Sequence, residues 1–182
     1  MDIVILDRDG VINHDSDRHV RSPDEWEAIP GSLDAIARLN RGGFRVVVAS
    51  NQSGLRRKLF DIETLNAIHE KMHRQLAEVG GMIDAVFFCP CLPREQCDCR
   101  KPSPGMLVEI SKRLRIGLDG VPCVGDSARD LEAARAVGAR PMLVRTGKGM
   151  RTIESGDGVA EDVEIFDDLA AVADALIAAR AA

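Results

Sequence analysis

Two aspartates two residues apart, Asp7 and Asp9, follow the apolar run Ile3-Val4-Ile5-Leu6. Residues i and i+2 of an extended chain face the same side, so both carboxylates would leave the strand together. Gly10 then lets the backbone turn sharply. Hard oxygen donors in such a cup suit Mg²⁺ and, through it, phosphate. Alone, Asp-x-Asp reads first as a strand running into a charged turn, so its meaning depends on what lies downstream.

The cysteines give a second signal. Cys89-Pro-Cys91 and Cys97-Asp-Cys99 are two C-x-C pairs within eleven residues. Four thiolates so spaced can close a tetrahedral structural Zn²⁺ site; reduced thiols or disulfides are the competing readings. Arg100 and Lys101 follow the last of these cysteines directly. A metal in the 89–101 loop would therefore stiffen the segment that delivers two cations. Cys123 falls inside a strand and reads as core.

A third pattern leads elsewhere. His69-Glu70-Lys71-Met72-His73 matches the H-E-x-x-H zinc protease signature. No histidine beyond His73 offers a third protein ligand. Leu65, Ile68, Met72 and Leu76 form one apolar face, which explains the segment as a helix covering a sheet. On this reading His69 is dispensable for the chemistry below.

The elements that must position these groups alternate. Strands are expected at 2–6, 44–50, 83–88, 121–125, 141–144 and 163–166. Helices are expected at 33–41 (capped by Ser32), 62–79 (capped by Asp61), from Ser103-Pro104 to about 115, from Ser127 to near Gly138, and over 168–180. Residues 13–30 read as irregular, with Trp26 as a local packing anchor. Such alternation implies an α/β fold with a doubly wound, mainly parallel sheet, whose ligands sit beyond the carboxyl ends of the strands. That rule selects Asp7-Arg8-Asp9, Ser50-Asn51-Gln52-Ser53-Gly54, Cys89 through Lys101, and Gly125-Asp126-Ser127.

With 182 residues, 45% hydrophobic and 29% charged, a single domain spanning 1–182 is expected. A net charge of −5 without basic blocks argues against nucleic acid, and 3% aromatics without tyrosine argues against base stacking. The sequence has no run long enough for a membrane span and no leader pattern, so a cytoplasmic monomer is expected.

Taken together, D-R-D-G-V, S-N-Q-S-G, R-K-P and V-G-D-S-A-R-D resemble the four motifs of the haloacid dehalogenase-like phosphatases. D-R-D-G-V-I-N, the C-x-C pairs with C-D-C-R-K-P, and P-G-M-L narrow the resemblance to the D-glycero-D-manno-heptose 1,7-bisphosphate 7-phosphatases. Histidinol-phosphate phosphatases share much of the pattern. The resemblance implies Asp7 as nucleophile forming an aspartyl phosphate, and Asp9 as general acid, then base. It implies Mg²⁺ on Asp7, Asp126 and the carbonyl of Asp9, with Ser50 and Asn51 on the phosphoryl oxygens and Lys101 as fixed cation. Arg100 would reach the rest of the substrate, and Asp130 would orient Lys101 or simply favour a helix N-terminus. In the heptose enzymes one zinc ligand is often His; here Cys91 completes a Cys₄ set. Ser127 stands where some members have lysine, which removes a charge near the phosphate.

Many relatives carry a separate cap domain, but Asp9 to Ser32 is a short irregular stretch and the segment from Asn51 to the third strand is mostly one helix, so an open site rimmed by loops 13–24, 54–60 and 92–100 is expected. Asp15, Ser16, Asp17 and Arg18 in the first loop would read sugar hydroxyls. Gln52, Ser53 and Ser127 would join the phosphate side. Arg57, in the trio Arg56-Arg57-Lys58, would meet a second phosphate. The expected activity is Mg²⁺-dependent hydrolysis of the 7-phosphate of the heptose bisphosphate, a step towards lipopolysaccharide. Histidinol-phosphate phosphatase and a non-catalytic zinc-binding module are the alternatives.

Overall fold

The structure is a computed structural model and describes residues 2–181. Six parallel strands form one sheet in the order β3-β2-β1-β4-β5-β6. They are β1 (Asp2–Leu6), β2 (Phe44–Asn51), β3 (Ala85–Cys89), β4 (Pro122–Gly125), β5 (Arg140–Val144) and β6 (Glu164–Phe166). The helices are α1 (Ser32–Arg41), α2 (Ile62–Glu78), α3 (Gly105–Leu114), α4 (Ala128–Arg135), α5 (Gly149–Ser155) and α6 (Leu169–Ala181). A short 3₁₀ turn, Pro23–Glu25, interrupts the long β1–α1 connection.

The central strands are buried on both faces, and the alternation of their side chains sorts the core into two layers. Val4, Leu6, Val46 and Val48 pack with Ile36 and Leu39 of α1, Ile68, Met72 and Leu76 of α2, and Leu169, Val172 and Leu176 of α6. Ile3, Ile5, Val47 and Ala49 face the other way, onto Met106, Leu107 and Ile110 of α3 and Ala133 and Ala134 of α4. Burying each such aliphatic side chain contributes about 1.5–3 kcal/mol. Trp26 is 1% exposed and anchors the β1–α1 connection; Lys71 of α2 donates to the carbonyls of Pro23 and Trp26 at 2.7 and 2.8 Å.

The chain runs outward from β1 to β2 and β3, then returns to place β4 on the other side of β1. The strand order therefore reverses between β1 and β4, which is where open parallel sheets bind ligands. Leu6 is in register with Val124, and the N–H of Asp7 donates to the Val124 carbonyl at 2.9 Å. Asp7 and Asp126 thus emerge side by side.

Three local expectations are corrected. Ser32 does not cap α1; Gly31 does, in a left-handed conformation, while the buried Ser32 hydroxyl donates to the Ile12 carbonyl at 2.6 Å. Pro104 is the cap residue of α3 rather than its first helical residue, and Ser103 makes no capping bond. Helix α5 was not expected. By contrast, Asp61 caps α2, accepting from the Thr64 N–H at 2.8 Å.

Candidate active site

The cleft at the switch point is lined by Asp7, Asp9, Asp15, Ser16, Asp17, His19, Val20, Ser50, Asn51, Gln52, Ser53, Arg100, Lys101, Asp126, Ser127, Arg129, Asp130 and Lys148. Four loops at the carboxyl ends of β1, β2, β3 and β4 supply most of these, and the β5–α5 turn adds Lys148.

Lys101 lies at its centre and is only 5% exposed. Its Nζ stands 3.1 Å from Asp7 Oδ1 and 2.6 Å from Asp130 Oδ1, and donates to the Ala49 carbonyl at 2.7 Å. Burial alone would lower its pKa, but Asp130 and Asp7 outweigh that and raise it, so it is a permanent cation. Asn51 fixes its backbone: the side-chain amide donates to the Lys101 carbonyl at 3.0 Å and accepts from the Lys101 N–H at 3.1 Å. Asn51 thereby positions Lys101, and it also lines the cleft. Asp130 also accepts from the hydroxyl and N–H of Ser127 at 2.6 and 3.1 Å. Burial would raise the Asp130 pKa, yet Lys101 and Ser127 hold it below the ordinary carboxylate value.

Asp126 is held by backbone rather than by a cation. Its Oδ2 accepts from the Lys148 N–H at 2.8 Å. Its carbonyl accepts from the Thr152 hydroxyl of α5 at 2.9 Å. Gly10, at φ +86°, passes so close that an added Cβ would lie 2.0 Å from this carboxylate, and Gly147, at φ +58°, is equally near. These two glycines make room for the acid. Without a cation, Asp126 is pushed up to about 8 by burial and by Asp130 and Asp7. Asp7 is pushed up to about 7, chiefly by burial, with Lys101 opposing.

Asp9 is the opposite case. Burial would raise its pKa, but Arg8, Asn13 and Gln52 together hold it below the ordinary value. Arg8 Nε and Nη2 donate to Asp9 Oδ1 at 3.1 and 2.9 Å, and Nη2 reaches Oδ2 at 3.1 Å. Asn13 Nδ2 and Gln52 Nε2 add bonds of 2.9 and 2.8 Å. Gln52 also donates to the Ser50 hydroxyl at 2.8 Å, which leaves that hydroxyl's hydrogen available to an anion.

At the rim, Lys148 Nζ pairs with Asp15 Oδ2 at 2.7 Å, tying the β5–α5 turn to loop 13–24. His19 Nε2 stands 3.4 Å from the Ser53 hydroxyl. Arg100 donates to the Cys91 carbonyl at 3.0 Å. Burial and the neighbouring charges of Arg129 and Arg57 lower its pKa. Two residues expected to touch substrate lie outside the cleft lining. Arg18 faces an adjoining recess with His14 and Arg21, and Arg57 is near enough to Arg100 for its charge to be felt there. Lys148, which carried no motif signal, and Arg129, which lies in V-G-D-S-A-R-D but was given no role, take part in the lining instead.

The four thiols of the 89–101 loop converge, with all sulfurs within 4.8 Å of one another. Cys89–Cys97 and Cys91–Cys99 are 3.6 and 3.9 Å apart, close to the roughly 3.8 Å edge of a tetrahedral zinc–thiolate site. Cys91 and Cys97 are joined, with sulfurs 2.28 Å apart, so these two would have to separate to admit a metal. Burial, followed by the neighbouring Cys99, pushes the Cys89 thiol up to about 12.

An all-parallel sheet with a strand-end aspartate pair, a buried lysine and further carboxylates at its switch point is the arrangement of a haloacid dehalogenase-like phosphoric monoester hydrolase. A HAD-hydrolase-like family model matches residues 98–172. The chain is 57% identical over 177 residues to the D-glycero-beta-D-manno-heptose-1,7-bisphosphate 7-phosphatase of Bordetella bronchiseptica, covering 97% of this chain and 98% of that one. It is 55% identical to that of Pseudomonas putida, covering 97% and 100%. A crystal structure of the B. bronchiseptica phosphatase complexed with magnesium and phosphate superposes with a TM-score of 0.96 at 56% identity, covering 98% of this chain and 99% of that one. The corresponding Burkholderia thailandensis structure gives 0.78 at 49% identity, covering 97% and 99%. The chain belongs to the D-glycero-D-manno-heptose 1,7-bisphosphate 7-phosphatase family.

Proposed function

We propose that this protein removes the 7-phosphate of D-glycero-β-D-manno-heptose 1,7-bisphosphate with Mg²⁺ as cofactor, on the way to nucleotide-activated heptose for lipopolysaccharide. The observation that carries the mechanism is charge balance. Asp7, Asp9, Asp126 and Asp130 face two buried cations, Arg8 and Lys101. That leaves two negative charges, and the raised pKa values place the deficit on Asp7 and Asp126. A divalent cation held by these two carboxylates, with the Asp9 carbonyl, would match it. When bound, Mg²⁺ supplies Lewis-acid neutralisation of the phosphoryl oxygens.

In this reading an Asp7 oxygen attacks phosphorus as the bond to the sugar oxygen breaks. Asp9 delivers a proton to that leaving oxygen. Asp9 then takes a proton from water as the water attacks the aspartyl phosphate; inorganic phosphate leaves and Asp7 is regenerated. Lys101 and the Ser50 hydroxyl hold the phosphoryl oxygens, and Arg100 with Arg129 faces the distal phosphate. The site is open, without a separate cap, and loop 13–24 reads the sugar. With Cys91 and Cys97 reduced, the four cysteines would hold a structural zinc, which would stiffen the loop that carries Arg100 and Lys101. Phosphate release from the heptose bisphosphate and from histidinol phosphate, each with and without Mg²⁺, tests the reading. Turnover of the bisphosphate at least tenfold faster (kcat/KM), and only with Mg²⁺, is expected; preference for histidinol phosphate would overturn it.

A further inference from the structure

We propose that His69 is a positioning residue for catalysis: through Arg8 it fixes the carboxylate of Asp9 in the orientation needed to protonate the leaving group. The proposal rests on the acid–base role of Asp9 given above.

Arg8 is 0% exposed, which is rare for arginine and demands that its donors be satisfied inside the protein. Nε and Nη2 are spent on Asp9. Nη1 lies 3.3 Å from Nε2 of His69, which sits on α2 and is itself 9% exposed. Guanidinium only donates, so Nε2 must be the acceptor and the neutral ring carries its hydrogen on Nδ1. Burial, then the adjacent Arg8 and His73 charges, pushes His69 down to about 4, which keeps that lone pair free at neutral pH. The ring packs near Phe88, with centroids 6.4 Å apart. Asp9, Arg8 and His69 therefore form a continuous chain from the cleft-lining carboxylate through a buried guanidinium to a helix on the sheet's face. The first histidine of the H-E-x-x-H pattern thereby has a structural reason unrelated to zinc. The proposal departs from the sequence-based expectation that His69 is dispensable.

The rival role is plain helix packing, and leaving-group chemistry separates the two. An alkyl phosphate needs a proton on its departing oxygen, whereas p-nitrophenyl phosphate releases a stable phenolate that does not. Both substrates are compared at saturating Mg²⁺, using a sugar phosphate that the wild-type enzyme turns over. In His69→Ala, kcat/KM for the sugar phosphate is expected to fall about tenfold, and for p-nitrophenyl phosphate less than about twofold. His69→Gln, whose side-chain oxygen can accept from Arg8, is expected to restore most of the loss. Equal falls on both substrates, no fall, or failure of His69→Gln to rescue would overturn the proposal. Asp9→Asn is the reference. If it shows a leaving-group-dependent loss of about 10² and His69→Ala does not, the His69 role alone is refuted. If Asp9→Asn shows no such dependence, the acid role falls and the His69 role with it.

Discussion

Replacing Lys101 by Met keeps the length of the side chain and removes its charge. The Nζ makes three contacts, to Ala49, Asp130 and Asp7. Removing one partner of a buried ion pair costs about 3–5 kcal/mol, because the charges left behind are neither solvated nor paired. Here two carboxylates lose the same cation. In the native protein the depressed pKa of Asp130 contributes stability that is present above its unfolded value and lost as pH falls through the folded value. In Lys101→Met the sign reverses: the Asp130 pKa rises above its unfolded value, and Asp7, already near 7, rises further. Such groups contribute stability below their unfolded pKa and lose it as pH rises. Urea denaturation of both proteins at about pH 5.5 and about pH 8, without added Mg²⁺, reads the difference. We expect Lys101→Met to be less stable by about 3–5 kcal/mol at the higher pH and by about 1–2 kcal/mol less than that at the lower. Equal losses at the two pH values, or a loss below about 1 kcal/mol, would refute the view that Lys101 is the charge partner of this cluster.

Gly10→Ala should lower stability by about 1–2 kcal/mol through its left-handed backbone alone. It should also displace Asp126, since the new Cβ would lie 2.0 Å from Oδ2; activity should drop at least about tenfold, and isothermal titration should show weakened Mg²⁺ binding. Metal analysis should find one zinc per chain, and its removal by a chelator, followed by excess Mg²⁺, should lower activity; full activity in a zinc-free sample would count against the cysteine site. His69 has a folded pKa near 4 against an unfolded 6.5, so the unfolded chain takes up the proton first as pH falls. Wild type should therefore lose about 3 kcal/mol between pH 6.5 and 4 that His69→Gln does not, measured as the difference between their denaturation midpoints.

Strong periodicity made the central elements legible. Continuous apolar runs marked β1 and β2, and a capped, striped seventeen-residue helix marked α2. Short α5 was missed because seven residues without an apolar stripe carry no helical signal; it is anchored through Thr152 to Asp126. Ser32 looked like a cap from its neighbours alone, whereas its hydroxyl answers to Ile12, twenty residues earlier. The acids and Lys101 could be placed because the rule about strand ends converts sequence order into spatial neighbourhood. No such rule reaches side-chain partners. Asn51 clamps a residue fifty positions away, and Lys148 sits in a Thr-Gly-Lys-Gly turn that reads as surface. The contact between Arg8 and His69 spans sixty-one positions, and the only local signal at His69 suggested a protease.

Asp7 and Asp9 are two residues apart and equally enclosed, yet their pKa values move in opposite directions. The difference lies in their partners. Asp7 shares its cation with Asp130 and faces Asp126, so it carries part of an uncompensated charge. Asp9 has Arg8 to itself and two amides besides. A carboxylate held this way rests ionised, which is the state needed to activate water in the second half of the proposed reaction. For the first half it must acquire a proton, and nothing in the free site favours that. The approach of a phosphate dianion would, because its negative charge raises the pKa of any neighbouring acid. On this argument the acid form of Asp9 is assembled with the substrate rather than stored beforehand. The grip of Arg8 returns Asp9 to the basic form once the leaving group has taken the proton. Without Arg8 the carboxylate would lose its orientation for the first step and its basic form for the second, so Arg8→Met should lower kcat/KM for a sugar phosphate at least as far as His69→Ala does and should also lower kcat for p-nitrophenyl phosphate, which still needs the water step; an unchanged kcat for p-nitrophenyl phosphate would contradict it.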